Sequence, residues 1–121
     1  MKRTLGRFGE EWAIGYLIRL GYTILERNVR FRTGEIDIVA RDGEGLVFVE
    51  VKSRRSRAFG LPEESITPAR YRRLESAIQE YLSRTAPQAE AYRVDLLCIE
   101  VGRDGRVGEA RLLRGVEPPG W

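Results

Sequence analysis

Two apolar segments joined by a short glycine-containing turn constrain the fold of this chain more than any other feature. Residues 35–40 and 46–53 are mostly apolar, with polar side chains at alternate positions in the part of each segment farther from the turn, and the turn Asp-Gly-Glu-Gly occupies positions 42–45. Alternation with a period of two predicts β-strands, and a connection of this kind predicts a β-hairpin. An antiparallel strand pair is therefore predicted in this part of the chain.

The register of this hairpin follows from its turn. A loop with an even number of residues pairs Arg41 with Leu46, and every other pair then follows by counting along both strands. One face of the hairpin becomes wholly apolar and is predicted to be core. Its pairs are Ile36 with Val51, Ile38 with Val49, and Ala40 with Val47.

The other face of the hairpin places Asp37 opposite Glu50 and Glu35 opposite Lys52. Like charges that face each other across a strand pair are destabilising, whereas a bound divalent cation reverses that effect, and Mg²⁺ is commonly held by one or two carboxylates. The alternative is a solvated strand end on which Lys52 neutralises Glu35. The metal site is favoured because Asp37 and Glu50 lie inside strongly apolar strands.

Helical periodicity predicts the remaining layer of the fold. Apolar residues recur at helical spacing from about residue 5 to residue 20, with Thr4 as the cap and Gly21 as the stop. Thr67 and Pro68 begin a second helix that runs to about residue 85. Further strands are predicted over residues 22–31, 92–101 and 107–113. This order predicts one α/β domain over residues 1–121, a mixed sheet flanked by helices, with a mobile basic loop at 53–66 and an irregular tail at 114–121.

Two features outside the hairpin extend the candidate site. Glu10 lies at the edge of the buried stripe of the first helix, where we interpret it either as the partner of an arginine or as a ligand of the same metal, direct or through water. The segment from Lys52 to Arg73 carries seven basic side chains against two carboxylates, which suits the binding of a phosphate backbone, although a solvated loop and helix face would have the same composition. Its arginines are Arg54, Arg55, Arg57, Arg70, Arg72 and Arg73.

Composition narrows the chemistry that is available. The chain has no histidine and one cysteine, Cys98, which excludes imidazole bases, zinc sites built from cysteine clusters, and internal disulfides. Lys2 and Lys52 are the only lysines, so either the source favours arginine or Lys52 has a role that arginine cannot fill. The N-terminus lacks the apolar stretch of a signal peptide, and no segment has transmembrane length. We therefore expect a cytoplasmic protein that does not contact membranes.

The motifs resemble those of one known family. Gly-Glu-Ile-Asp-Ile at positions 34–38 and Val-Phe-Val-Glu-Val-Lys-Ser-Arg at positions 47–54, together with Gly9, Glu10 and Ala13, resemble the bacterial YraN-like family. That family looks related to the PD-(D/E)xK nuclease superfamily, which includes archaeal Holliday junction resolvases. The resemblance covers about residues 6–99 and implies a restriction-endonuclease-like fold. One departure is that Ile36 stands where the superfamily name has proline.

The resemblance also implies roles for individual residues. Asp37 and Glu50 would bind Mg²⁺ or Mn²⁺, and the carbonyl oxygen of Val51 would be a further ligand. Glu10 matches the glutamate of the first helix. Lys52 would orient or activate the attacking water. The implied function is a metal-dependent endonuclease or junction-processing enzyme that acts on nucleic acid, with DNA expected. The alternatives are a non-catalytic nucleic-acid-binding module and an assembly partner of a DNA-processing protein. The sequence leaves the oligomeric state undetermined, with a homodimer as one alternative.

Overall fold

A computed structural model describes residues 4–43, 45–55, 66–85 and 91–117. Its elements are α1 (Leu5–Arg19), β1 (Thr23–Phe31), β2 (Gly34–Asp42), β3 (Gly45–Arg54), α2 (Pro68–Thr85), β4 (Tyr92–Val101) and β5 (Val107–Leu113). The five strands lie in chain order across one sheet. Neighbouring strands are antiparallel except β3 and β4, which are parallel and lie on either side of α2 in the chain. The predicted mixed α/β architecture is thereby confirmed.

The two helices cover opposite faces of the sheet. One apolar cluster lies under α1 and includes Leu17, Ile38 and Val49, and a second lies under α2 and includes Phe48 and Ile78. Because both faces of the central strands are covered, these strands are apolar on both sides. Neither helix in the described part of the chain is long and apolar enough to cross a membrane.

Helix α1 begins and ends as the sequence predicts. The Thr4 hydroxyl accepts a hydrogen bond from the backbone of the first turn, and Gly21 has a φ of +97° just after the last turn. The Gly21 N–H donates to the Ile18 carbonyl oxygen and the Tyr22 N–H donates to the Leu17 carbonyl oxygen, both at 3.0 Å. This is the hydrogen-bond pattern of a Schellman motif, which needs the positive φ that glycine adopts without strain.

The hairpin has the predicted register up to Ile38. The pairs are Arg41 with Leu46, Ala40 with Val47, Val39 with Phe48 and Ile38 with Val49. The ladder between β2 and β3 ends at this last pair, so the two strands separate as they approach Asp37 and Glu50.

Ile36 corrects one prediction about this hairpin. It belongs to the cluster under α2, whereas Ile38 belongs to the cluster under α1, so the prediction of one continuous apolar face is wrong at this residue. The neighbouring strand is irregular at the same place. Asn28 of β1, which lies opposite Asp37 between two paired positions, has a φ of 53°, and the alternation of β2 changes side at this point.

Two glycines allow both helices to approach the open end of the hairpin closely. A Cβ built on Gly9 of α1 would lie 1.8 Å from the Oγ of Ser53 in β3. A Cβ built on Gly34, the first residue of β2, would lie 2.3 Å from the backbone carbonyl oxygen of Arg73 in α2. Close approach of backbones is a common reason for glycine at such positions. Residues of both helices are therefore brought near the end of β2 and β3 that carries the candidate site.

Part of the predicted organisation lies outside the described residues. Residues 56–65 include most of the predicted basic loop, and residues 118–121 include the end of the predicted tail. Residues 114–117 form neither helix nor strand. They are nevertheless held in place, because the Val116 N–H donates to the Val94 carbonyl oxygen at 2.8 Å.

Candidate functional site

Asp37 and Glu50 lie beside each other where β2 and β3 separate. Their side chains are almost completely buried, with 5% and 4% exposed. Asp37 Oδ2 accepts a hydrogen bond from the Val51 backbone N–H at 2.8 Å. Val51 lies beyond the last pair of β2 and β3, so its N–H is satisfied by the Asp37 carboxylate. The structure therefore brings together the two carboxylates that the hairpin register places opposite each other.

The environment of Asp37 disfavours its charged form. Burial is the main cause that raises the pKa of Asp37 from 3.8 to about 8, and the neighbouring Glu50 carboxylate is the second. The hydrogen bond from Val51 lowers the pKa, and the more distant Glu10 carboxylate raises it. Since this pKa lies above neutrality, Asp37 carries a proton at pH 7 unless a cation enters the site.

Glu50 has a cation partner that comes from α2. Its Oε2 accepts a hydrogen bond from Arg70 Nε, and the two groups form an ion pair. Arg70 lies in the first turn of α2, where its backbone N–H donates to the Thr67 hydroxyl at 3.1 Å. The predicted N-cap of α2 thus positions Arg70 over the site. Among the residues that the structure describes, no cation forms an ion pair with Asp37.

Another buried carboxylate, Asp95, has the partners that a structural aspartate needs. It is fully buried and accepts hydrogen bonds from Arg93 Nε at 2.8 Å, the Tyr22 hydroxyl at 2.7 Å and the Gly115 N–H at 3.0 Å. Buried charges persist in proteins when they are paired and hydrogen-bonded in this way. Asp37 has one backbone donor and a neighbouring carboxylate, and among the described residues it has no cation partner, so stability alone does not explain its position.

The donor set at Asp37 and Glu50 fits a small divalent cation. Carboxylate oxygens are the ligands that Mg²⁺ and Mn²⁺ prefer, and Mg²⁺ usually completes its shell with water and substrate phosphate oxygens. Within residues 4–43, 45–55, 66–85 and 91–117, no group of three or more carboxylate or thiol side chains is close enough to hold a metal ion. Glu10 is therefore not gathered with the other two carboxylates, and the residues present fit a site with two carboxylate ligands.

Glu10 lies half-buried on α1 and acts on the site through its charge. Burial is the main cause that raises the pKa of Glu10, and the Glu35 carboxylate also raises it, while Arg27 and Arg30 lower it. In the described part of the chain no arginine forms an ion pair with Glu10, so the predicted salt bridge is not found there. The carboxylate of Glu10 is near enough to raise the pKa of Asp37.

Lys52 lies two residues beyond Glu50 on β3, on the same side of the strand. It is half-buried. The interpretation in which Lys52 neutralises Glu35 is not found among the described residues, because the ion pair of Glu35 is made with Arg30, at 3.3 Å. Between Glu50 and Lys52, Val51 contributes its N–H to Asp37. Among the described residues, no carboxylate forms an ion pair with the Lys52 ammonium group.

The other arginines predicted to bind nucleic acid are spread over two elements. Arg54 is half-buried at the end of β3 and Arg55 is exposed just after it, whereas Arg72 and Arg73 are exposed on α2. Arg57 lies outside the described residues. The predicted basic surface is thus divided between the end of a central strand and the N-terminal half of a helix.

A pocket beside Glu50 contains two arginines that the sequence analysis missed. It has a volume of about 310 Å³ and lies between α2 and the turn that joins β1 to β2. Arg30 and Arg32 of β1 and its turn line it together with Glu50, Arg70 and Arg73. The basic cluster predicted from the sequence began at Lys52, in β3, although the two arginines that flank Phe31 were a visible signal.

The fold and the site define a mixed α/β protein with two adjacent buried carboxylates where its central hairpin opens, and with arginines around them. The family model of "Uncharacterised protein family UPF0102" matches residues 9–99. The chain belongs to this family, which confirms the resemblance to the YraN-like bacterial proteins.

Individual members of the family match most of the chain. The UPF0102 protein of Symbiobacterium thermophilum is 48% identical over 107 residues, which cover 88% of this chain and 91% of that protein. For the UPF0102 protein of Geotalea daltonii the identity is 46% over 97 residues, covering 80% and 76%. For that of Caldicellulosiruptor saccharolyticus it is 40% over 113 residues, covering 93% and 96%.

Proposed function

We propose that this protein is a divalent-metal-dependent nuclease that cleaves phosphodiester bonds in nucleic acid, with DNA as the expected substrate. The observation that carries the proposal is the pair of Asp37 and Glu50, which are buried beside each other. Ionising both carboxylates in this position reduces stability, and a bound cation would favour the ionised form of both. In this proposal the sheet and its two helices form a restriction-endonuclease-like fold.

Each residue of the site has a distinct role in this proposal. Asp37 and Glu50 hold Mg²⁺ or Mn²⁺, and ligand binding requires that Asp37 releases the proton that its environment favours. The cation, when bound, supplies positive charge to the phosphate oxygens and lowers the pKa of the attacking water. Arg70, which pairs with Glu50 in the chain alone, can turn its guanidinium to a phosphate, for which the guanidinium has matching geometry.

Lys52 is assigned to the chemical step. It lies on the same side of β3 as Glu50, and no carboxylate among the described residues holds it in an ion pair. Its compact ammonium can orient the attacking water or stabilise charge that develops on the phosphate. Arginine carries the same charge in a larger planar group, so this role would explain why lysine is retained at this position.

A non-catalytic nucleic-acid-binding module is the second candidate, and one observation favours it. The ion pair between Arg70 and Glu50 neutralises one carboxylate without any metal, and protonation neutralises Asp37 near pH 7. The chain can therefore be stable without a metal ion. The arginines would then bind phosphates directly, and cleavage would not occur.

The variant Lys52→Arg separates these two functions. Single strands, flaps and four-way junctions of DNA and the corresponding RNAs are incubated with Mg²⁺ or Mn²⁺, and both cleavage and affinity are measured. We expect the wild type to cut at least one of these substrates and Lys52→Arg to cut it on the order of 100-fold more slowly with little change in affinity. Lys2→Arg is the matched control, because it makes the same exchange at the only other lysine of the sequence.

Replacing Arg54, Arg55 and Arg57 together by alanine tests the contribution of these arginines to nucleic-acid affinity. Because affinity is distributed over many phosphate contacts, this variant should bind more weakly to every sequence and with a flatter salt dependence. Equal cleavage by Lys52→Arg and the wild type would remove the proposed role of the lysine. Binding by the wild type without cleavage of any substrate, with either metal, would establish the binding module instead.

A further inference from the structure

The pocket beside Glu50 has walls from three different elements. The turn between β1 and β2 forms one wall, the N-terminal half of α2 forms the other, and Glu50 of β3 reaches it from the candidate site. The two walls touch where Gly34 meets the backbone carbonyl oxygen of Arg73, so closely that a Cβ on Gly34 would lie 2.3 Å from that oxygen. The pocket is therefore closed on the side where these two residues meet.

The charge of this pocket is positive and partly uncompensated. Four arginines and two glutamates line it. Arg70 is paired with Glu50 and Arg30 with Glu35, so the two acidic side chains are already matched. Arg32 and Arg73 are exposed and form no ion pair within the part of the chain that the structure describes. Two guanidinium groups at one pocket are therefore available to an anion, and guanidinium suits phosphate in particular.

The size and the apolar part of the lining indicate what accompanies the phosphate. The volume of about 310 Å³ lies at the lower end of the range for small-molecule sites, about 300–1,000 Å³. It accommodates a group of nucleotide size and is too small for a duplex. Phe31 and Leu74 add an apolar surface to the lining, which suits contact with a base, since every base has an apolar face.

We propose that this pocket binds the phosphorylated terminal nucleotide of a nucleic-acid strand. The proposal rests on the proposed function for its ligand, because Glu50 belongs both to the pocket and to the candidate metal site. A terminal phosphate fits better than an internal one for two reasons. An internal phosphate continues into backbone on both sides and needs an open groove, whereas this pocket is closed at Gly34 and Arg73. A terminal phosphate also carries more negative charge, which matches Arg32 and Arg73.

The test compares strand ends in a binding assay without cleavage. Fluorescence anisotropy with EDTA present measures the affinity for one single-stranded oligonucleotide with a 5′-phosphate, with a 3′-phosphate or with neither. A strand that is one nucleotide longer and lacks a terminal phosphate is the matched ligand, because it has the same number of phosphate groups. We expect one of the two phosphorylated strands to bind about tenfold more tightly than this matched strand. A factor of this size is expected because the terminal phosphate would form a new pair of charge-assisted hydrogen bonds.

Pocket variants identify where the preference arises. Arg32→Ala with Arg73→Ala should reduce the preference to less than about twofold, and Arg73→Ala alone, at an exposed helix position, should reduce it in part. Arg103→Ala is the matched control, because it removes the same charge from the exposed turn after β4 and should leave the preference unchanged. Thermal midpoints verify that each variant is folded.

The outcomes separate this proposal from the proposed function. If the wild type cleaves nucleic acid but binds all ends as tightly as the matched strand, the pocket does not recognise ends and the nuclease proposal stands. If the wild type prefers a phosphorylated end through Arg32 and Arg73 but never cleaves with Mg²⁺ or Mn²⁺, the pocket proposal stands and the nuclease proposal is wrong. An end preference that survives in the double variant would also overturn the pocket proposal.

Discussion

Replacing Asp37 by asparagine should remove a large pH dependence of stability in the metal-free protein. The pKa of Asp37 is raised from 3.8 to about 8, so between these values the folded state holds a proton that the unfolded state has lost. The stabilisation that belongs to this proton is fully present below about pH 3.8, decreases by about 1.4 kcal/mol per pH unit, and is lost as the pH passes about 8. Asparagine does not titrate, so it lacks this dependence.

The assay is urea unfolding of wild type and Asp37→Asn in EDTA at pH 5, 7 and 9. Between pH 5 and 7 the wild type should lose about 3 kcal/mol relative to the variant, which corresponds to a shift of about 1 M or more in the urea midpoint. Little further change is expected above about pH 8. Glu35→Gln, the same change of charge at an exposed position of β2, should differ from the wild type by less than about 0.5 kcal/mol. A difference between wild type and Asp37→Asn that does not vary with pH would refute the argument, because it would mean that Asp37 is ionised in the folded state at pH 5.

Two further predictions concern the metal and the packing of α2. Millimolar Mg²⁺ or Mn²⁺ should raise the thermal midpoint of the wild type more at pH 8 than at pH 6, because the ligands must be ionised to bind the metal. The Asp37→Asn variant should respond weakly. An unchanged wild-type midpoint at both pH values would count against the metal site. Gly34→Ala should cost about 1–3 kcal/mol of unfolding free energy, because the new Cβ would meet the Arg73 backbone at 2.3 Å. Gly15 lies in the interior of α1, and a Cβ added to it would have no atom within 4 Å. Gly15→Ala should therefore raise the free energy of unfolding by up to about 1 kcal/mol. Equal effects of the two exchanges in chemical denaturation would contradict this difference in environment.

The helices, the strands and the hairpin register could be read from the sequence because local interactions determine them. The cap at Thr4, the stop at Gly21 and the apolar periodicity of α1 act within a few residues of each other. The connection at residues 43–44 has an even length, and this alone pairs Arg41 with Leu46. The same counting placed Asp37 opposite Glu50, so the two central carboxylates of the candidate site were found before any tertiary contact was known.

Counting along the strands predicted the wrong side of the sheet for Ile36. Ile36 packs under α2 although Ile38 packs under α1, and the change of side lies opposite Asn28 of β1, so no alternation within β2 contains that information. Asp95 lies in an apolar run much as Asp37 does, yet it is satisfied by Arg93 and by residues at both ends of the chain. The sequence could not distinguish the aspartate that has a cation partner from the one that lies beside a second carboxylate, because the difference lies in which distant groups the fold brings within reach.

The arrangement of charges around the site is likewise a product of tertiary structure. The sequence by itself determined that two carboxylates face each other on a hairpin, since turn length and the two-residue period of strands are local properties. It did not determine that Arg70 pairs with Glu50, or that Arg32 and Arg73 meet at one pocket. Those contacts exist because β3 and α2 are packed on the same sheet and because Gly34 lets the turn after β1 lie against the backbone of α2. Electrostatic interactions act through distance in space, and only the packed fold decides which distant residues become neighbours.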